Sequence, residues 1–219
     1  MDKAKDLLCP FYEKTGVCGK GDMCNKTHRR PEICRCLLFH KIYPDPDLFL
    51  SMLSNEVINI SETEKQNLLD SFFLDIVLMM RQFGELEDVL ICGNKNDQLS
   101  GNLYAMFREA GSAESAYIAL NNQYYAGRKI EITFSPIFKL SCAICKGFME
   151  GSCPMGNACC FIHPLSPSEY ITKRCFSRAA RSYPEMFRKS HKTRIIDTPS
   201  DVLYGRAKSR YDERLREKK

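Results

Sequence analysis

CPFYEKTGVCGKGDMCNKTH, residues 9–28, sets Cys9, Cys18, Cys24 and His28 in the spacing C-x8-C-x5-C-x3-H. A second stretch, CKGFMEGSCPMGNACCFIH at 145–163, repeats the order with Cys145, Cys153, Cys159 and His163 as C-x7-C-x5-C-x3-H. Three soft thiolates closed by one imidazole are the four ligands a tetrahedral structural zinc takes. An irregular spacing that recurs with an identical ending argues against unrelated buried or oxidised cysteines. The expectation is two zinc ions in two small CCCH modules. Neither module can bury much core, so metal replaces it: structural zinc supplies about 10–16 kcal/mol of apparent binding energy that doubles as folding energy.

Two local ambiguities attend the second module. Cys142 and Cys145 form a C-x2-C pair, and Cys159 and Cys160 are adjacent. Only Cys145 with Cys159 reproduces the x7/x5/x3 spacing, which leaves Cys142 and Cys160 as free thiols. Cys34, Cys36, Cys92 and Cys175 read as small buried or surface residues. His40 and His191 have no ligand-spaced partners. The start MDKAKDLLCP has no signal-peptide core, and no apolar run reaches the ~18 residues of a membrane span. Twelve cysteines without a secretory signal point to a reducing compartment, and to metal rather than disulfides.

The net charge of +5 over 219 residues is unevenly spread. Residues 1–30 carry +3, 31–137 carry −7, 138–164 carry +1 and 165–219 carry +8. Phosphate binding needs Lys and Arg, so the modules and the tail suit a polyanion and the middle does not. PEICRCLLFHKIYPDP (31–46) reads as a short apolar helix stopped by Pro44 and Pro46. EVINI (56–60) reads as a strand, and Ser61 with Glu64 as a capping box opening a helix that runs to Phe83. ELEDVLICG (85–93), LSGNLYAMF (99–107) and KIEITF (129–134) read as strands, with turn residues NKNDQ after the first. GSAESAYIALNN (111–122) has helical spacing. The expected fold is α+β: a ferredoxin-like βαββαβ (RRM-like) domain flanked by two CCCH zinc fingers, with a basic C-terminal tail. Expected boundaries are finger one at 1–30, a linker helix at 31–54, the RRM-like domain at 55–137, finger two at 138–164 and a partly disordered tail at 165–219. The middle domain is expected to keep its own core and stay folded without zinc.

Such a sheet binds RNA by stacking bases on aromatics of its first and third strands. Here the third strand reads Ser100, Gly101, Asn102, Leu103, Tyr104, Ala105, Met106, Phe107. The leading base is gone, and Asn102 stands where the first stacking aromatic belongs. RNA is therefore not expected on this sheet, and Tyr104 and Phe107 read as packing residues. The fingers are the candidate RNA surface, through Phe11, Tyr12, Lys14, Lys20, Asn25, Lys26, Arg29 and Arg30 in the first and Lys146, Phe148, Met155 and Phe161 in the second. Base–aromatic stacking is worth ~1–3 kcal/mol per base.

Two CCCH fingers bracketing an RNA-recognition-like domain that lacks its RNA residues resemble the small subunit of the U-two snRNP auxiliary factor (U2AF). The resemblance spans about 9–164 and includes LLFHKIYPDP and LNNQYYAGRKI. It implies a nuclear pre-mRNA splicing role, with the fingers reading the AG at the 3′ splice site on single-stranded pre-mRNA. It also implies that the middle domain is of U2AF-homology-motif type, forming a heterodimer by gripping a Trp-bearing peptide of the large subunit. The family's Arg-x-Phe loop falls on Gln123, Tyr124 and Tyr125, so the arginine is absent. The first helix is mostly apolar, with Asp70 and Asp75 its main acids, and the Arg–Ser-rich tail is merely basic here.

That helix carries Leu69, Phe72, Phe73, Ile76, Met80 and Phe83 on one face, while Leu74, Val77 and Leu78 point elsewhere on the helical wheel. A helix apolar nearly all round is buried on more than one side. The expected partner surface is therefore Asp70, Leu74, Asp75, Leu78, Tyr124 and Tyr125. No nucleophile–base pair or phosphate loop stands out, and two filled zinc sites leave no open position for an activated water, so no catalysis is expected. The alternatives are a CCCH factor of mRNA turnover, or a zinc-finger interaction module of a larger enzyme assembly.

Overall fold

The computed structural model describes residues 7–46 and 60–176. Its first strand is β1, Cys36–Phe39, followed by helix α2, Glu62–Arg81, strand β2, Leu86–Cys92, strand β3, Leu103–Phe107, and helix α3, Ala110–Leu120. A short hairpin, β4 (Tyr124–Tyr125) and β5 (Arg128–Lys129), precedes β6, Ile132–Phe134. Helix α1, Pro10–Thr15, lies in finger one and α4, Lys146–Met149, in finger two; strand β7, Pro164–Leu165, and helix α5, Glu169–Phe176, close the described chain. The sheet runs β6-β1-β3-β2-β7, and every pairing is antiparallel. Its first four strands are the four-stranded sheet of the expected ferredoxin-like fold, and β7 adds a strand from just beyond His163.

One expected element is corrected. The apolar stretch taken for a linker helix at 31–54 supplies the central strand β1, paired Leu37 with Ala105 and Leu38 with Tyr104. All four of its residues are buried. A sheet covered on both faces loses the polar–apolar alternation that identifies a strand, and a short continuous apolar run fits helix or strand equally by periodicity. The strand expected at 56–60 falls mainly outside the described residues. A domain cut at residue 55 would lose β1.

The chain divides into two compact units. The first, described at 7–46, 83–123 and 129–166, holds both fingers, the sheet and α3. On one sheet face Tyr117 of α3 lies against Phe134, ring centroids 4.9 Å apart, over the buried Leu37, Phe39 and Ala105. On the other, Cys36, Leu38, Leu90, Cys92, Tyr104 and Met106 form one cluster with Ile137 and with Leu140, Ala143 and Ile162 of finger two. This is the face on which RNA-recognition domains stack bases, and here protein covers it. Sheet and finger two thus share a core, where the middle domain was expected to have one of its own. Gly101 is obligatory: its φ is +69°, and a Cβ there would stand 2.6 Å from the Tyr43 carbonyl oxygen.

The second unit, described at 60–82, 124–128 and 167–176, is built on α2. Ser61 accepts from the Glu64 N–H while the Glu64 carboxylate takes the Ser61 N–H, the expected capping box. Val77 is buried with Leu69, Phe72, Phe73, Ile76 and Met80. Helix α5 lies against α2: Phe73 meets Phe176 at 6.3 Å, and the Arg81 guanidinium sits 5.7 Å from the Phe176 ring centre and donates to the Cys175 carbonyl. Residues 169–176 of the expected tail are thus an ordered helix, and 177–219 lie outside the described residues. Among the described residues, no helix is long and apolar enough to cross a membrane.

Candidate metal centres and nucleic-acid interface

Each finger is a short helix, a turn and a returning segment. Cys9 and Cys145 sit at the N-caps of α1 and α4. A 3-10 turn, Gly21–Met23 or Gly156–Ala158, leads into the third cysteine. The returning segment bridges to the start, Thr27 with Leu8 and Ile162 with Ile144. Pro10 favours the first turn of α1, and Gly16, at φ +69°, ends it with its N–H on the Tyr12 carbonyl. These local choices bring Cys9, Cys18, Cys24 and His28 into one group, and Cys145, Cys153, Cys159 and His163 into another, with ligand atoms within 4.8 Å of one another.

The geometry fits zinc. Cys9 Sγ to Cys18 Sγ and Cys145 Sγ to Cys153 Sγ are both 3.7 Å, against roughly 3.8 Å for two sulfurs tetrahedral about zinc at ~2.3 Å. Nε2 of His28 and Nε2 of His163 are buried and have no hydrogen-bond partner; coordination satisfies them. Burial pushes His163 down toward the neutral imidazole that a metal needs. Burial raises Cys18 to about 11 and Cys159 to about 12. In Cys9 and Cys153 burial also acts upward, but donors beginning with the Tyr12 and Met155 backbone N–H groups outweigh it. An aromatic three residues after the first cysteine stacks on each histidine: Tyr12 on His28 at 4.5 Å and Phe148 on His163 at 4.2 Å. Cys142 is exposed and Cys160 half-buried, both outside the ligand sets. Burial raises the Cys36 and Cys92 thiols, which act as small apolar residues.

The two fingers meet. Phe11 of finger one and Phe161 of finger two stand edge to face, centroids 6.3 Å apart, with Lys14 Nζ 5.4 Å from the Phe161 ring centre. The Tyr104 hydroxyl donates to the Thr15 carbonyl of finger one.

Residues 143–165 match the zinc finger C-x8-C-x5-C-x3-H type (and similar) family model. The chain is 30% identical over 190 residues to the Homo sapiens splicing factor U2AF 26 kDa subunit, covering 85% of this chain and 86% of that protein. It is 32% identical over 177 residues to the Drosophila melanogaster splicing factor U2af 38 kDa subunit, covering 80% and 67%. The chain belongs to the U2AF small-subunit family. It is also 34% identical over 175 residues to an Arabidopsis thaliana U2af small-subunit splicing factor, covering 80% of this chain but 62% of that relative, so it spans less than two thirds of the plant protein.

Of the expected RNA residues in this U2AF-family chain, Phe11, Lys14, Lys20, Asn25, Lys26, Arg29, Arg30, Lys146 and Met155 are exposed and Phe161 is half-buried. Tyr12 is a correction: it is 7% exposed and its ring face is already on His28, so it serves the zinc site. Phe148 likewise has one face on His163, with 41% of its surface open. Of the expected partner residues, Tyr124 is exposed and Leu74 and Leu78 are half-buried. Tyr125 is a second correction: it is buried, its ring against Phe72 and its hydroxyl 3.3 Å from Asp75 Oδ2. Asp70 Oδ1 takes the Ser168 N–H and the Gln66 amide. Both acids therefore have partners within their own unit.

The reading from sequence missed Asn94 and Asn96, which sit in the loop between β2 and β3 and bond to finger two. They looked like turn residues. The one available signal was an asparagine pair where any polar turn would serve.

Proposed function

We propose that this chain is the RNA-contacting small subunit of a pre-mRNA splicing factor acting in the nucleus. Its two zinc fingers bind single-stranded pre-mRNA at the AG of a 3′ splice site. The unit built on α2 holds a peptide of the auxiliary factor's large subunit. The observation that carries the reading is the Phe11–Phe161 pair with Lys14 above it. Two aromatic rings and one cation, drawn from fingers 116 residues apart in sequence, offer what a flexible strand needs: π faces for bases and a charge for phosphate. The role is non-catalytic, since four protein ligands complete each zinc set.

On the second unit, Tyr124, Leu74 and Leu78 remain for the large-subunit peptide. The peptide's aromatic anchor would be held by Tyr124, and Leu74 and Leu78, one helical turn apart on α2, would supply apolar contact. The acids Asp70 and Asp75 act on α5 and the hairpin rather than on the peptide.

Direct binding tests the RNA half. The full chain with two zinc ions should bind a short AG-containing 3′ splice-site oligonucleotide more tightly than an AU-rich one. That affinity should fall steeply with salt and drop about tenfold in Phe11→Ala or Phe161→Ala, as the stacking range implies. Preference for the AU-rich strand would favour a turnover factor instead. For the partner half, Leu74→Glu with Leu78→Glu should leave the chain folded and abolish recovery of the large subunit. Recovery at wild-type levels would exclude this face.

A further inference from the structure

Residues 93–102 join β2 to β3, and their polar groups reach finger two. Asn94 is 3% exposed. Its Nδ2 donates to the Phe161 carbonyl at 2.9 Å, and its Oδ1 accepts the His163 N–H at 2.8 Å. The Gly93 N–H donates to the His163 carbonyl at 2.7 Å. Asn96 Nδ2 donates to the carbonyls of Cys159 at 2.8 Å and Asn157 at 3.1 Å, while its Oδ1 takes the Leu99 N–H. A primary amide is suited to this work, because it offers a donor and an acceptor from one rigid plane.

Two zinc ligands, and the ring that lies between them in sequence, are therefore held by side chains from outside the finger. Both fingers tie their returning segment to their own start, Cys9 N–H to the Thr27 carbonyl in finger one and Cys145 N–H to the Ile162 carbonyl in finger two. Finger two adds the two asparagines to that shared closure. Outer partners that fix a ligand's backbone govern both metal retention and the aim of neighbouring groups.

We propose that Asn94 and Asn96 are positioning residues: they fix the backbone of 157–163 so that Phe161 meets Phe11 while Cys159 and His163 stay on the metal. Neither asparagine belongs to a metal-ligand set. The RNA part of this inference rests on the reading of the fingers given above, and the metal part stands without it.

The test uses the full chain loaded with zinc and two readouts: affinity for a short AG-containing RNA strand, and the rate of zinc release to a chelator. Asn94→Ala should weaken RNA binding about tenfold and speed release of one of the two zinc ions about tenfold, the scale of losing buried hydrogen bonds. Added to Phe161→Ala, it should cost no further RNA affinity, because it acts through that ring. Asn94→Asp keeps the acceptor for His163 and loses the donor to Phe161. It sets an oxygen against the Phe161 carbonyl instead and should therefore bind RNA weakly. If Asn94→Ala does not fold, the half-exposed Asn96→Ala takes its place in the same cycle.

An RNA loss that persists in full on the Phe161→Ala background overturns the proposal, as does wild-type behaviour of Asn94→Ala in both readouts. If Phe161→Ala itself binds RNA normally, the stacking reading fails instead. Zinc release then decides for the asparagines, with faster loss of one ion supporting them and an unchanged rate overturning them.

Discussion

Finger one docks on the sheet through contacts that include the Tyr104 hydroxyl on the Thr15 carbonyl, the close pass of Gly16 by Ser135 and Leu38, and Val17 against the buried cluster. Finger two is woven in: β7 pairs with β2, Asn94 and Asn96 hold its ligand backbone, and Leu140, Ala143 and Ile162 complete the core under β3. The local architecture is the same in both, down to the aromatic on the histidine. What differs is how far the metal's contribution extends. Zinc in finger one orders a module, and zinc in finger two also holds the lid of a sheet.

The largest expected effect separates these two roles. Cys18→Ser and Cys153→Ser should each remove one zinc equivalent by metal analysis. Hydrogen exchange of β3 should remain slow in Cys18→Ser and become fast in Cys153→Ser, which loses part of the ~10–16 kcal/mol that zinc supplies together with the apolar cover. Equal protection of β3 in both variants would erase the distinction. Next in size, Tyr104→Phe strands the Thr15 carbonyl and should cost about 1–3 kcal/mol, read as faster exchange in finger one with finger two unaffected. Tyr12→Leu and Phe148→Leu test the likeness of the fingers: each should lose about 0.5–1.5 kcal/mol of ring–ring contact and to a similar extent in thermal melts.

The smallest effect is a pH slope. His40 is largely buried, with Nε2 2.9 Å from Thr133 Oγ1, and burial lowers its pKa below 6.5. The unfolded chain then binds more protons, so this contribution is complete above about pH 6.5 and is lost as pH falls. At saturating zinc, the difference between wild type and His40→Asn should shrink from neutral pH toward pH 5. A difference that grows instead would reverse the sign.

The metal sites were legible because ligand spacing is a covalent fact of the sequence, and nothing in the fold has to be known to read it. The capping box at Ser61, helix α3 and strands β2, β3 and β6 were legible from patterns confined to a few residues. Strand β1 was not, since burial on both faces removes the alternation that marks a strand, and the cover comes from finger two, far along the chain. Tyr12 and Tyr125 misled for the same kind of reason: an aromatic in a candidate interface looks alike whether its face is open or already spent on His28 or Phe72. Asn94 was invisible because its meaning lies wholly in two backbone groups some 70 residues away.

The most direct test of a single RNA surface spanning both fingers is a double-mutant cycle at Phe11 and Phe161, with RNA affinity measured on the zinc-loaded full chain. Each alanine alone should cost about tenfold, within the stacking range. If the two rings hold the same stretch of strand, the double variant should bind little worse than the weaker single variant, a clear departure from additivity. Losses that multiply in full, to about a hundredfold, would mean two independent sites and contradict the account.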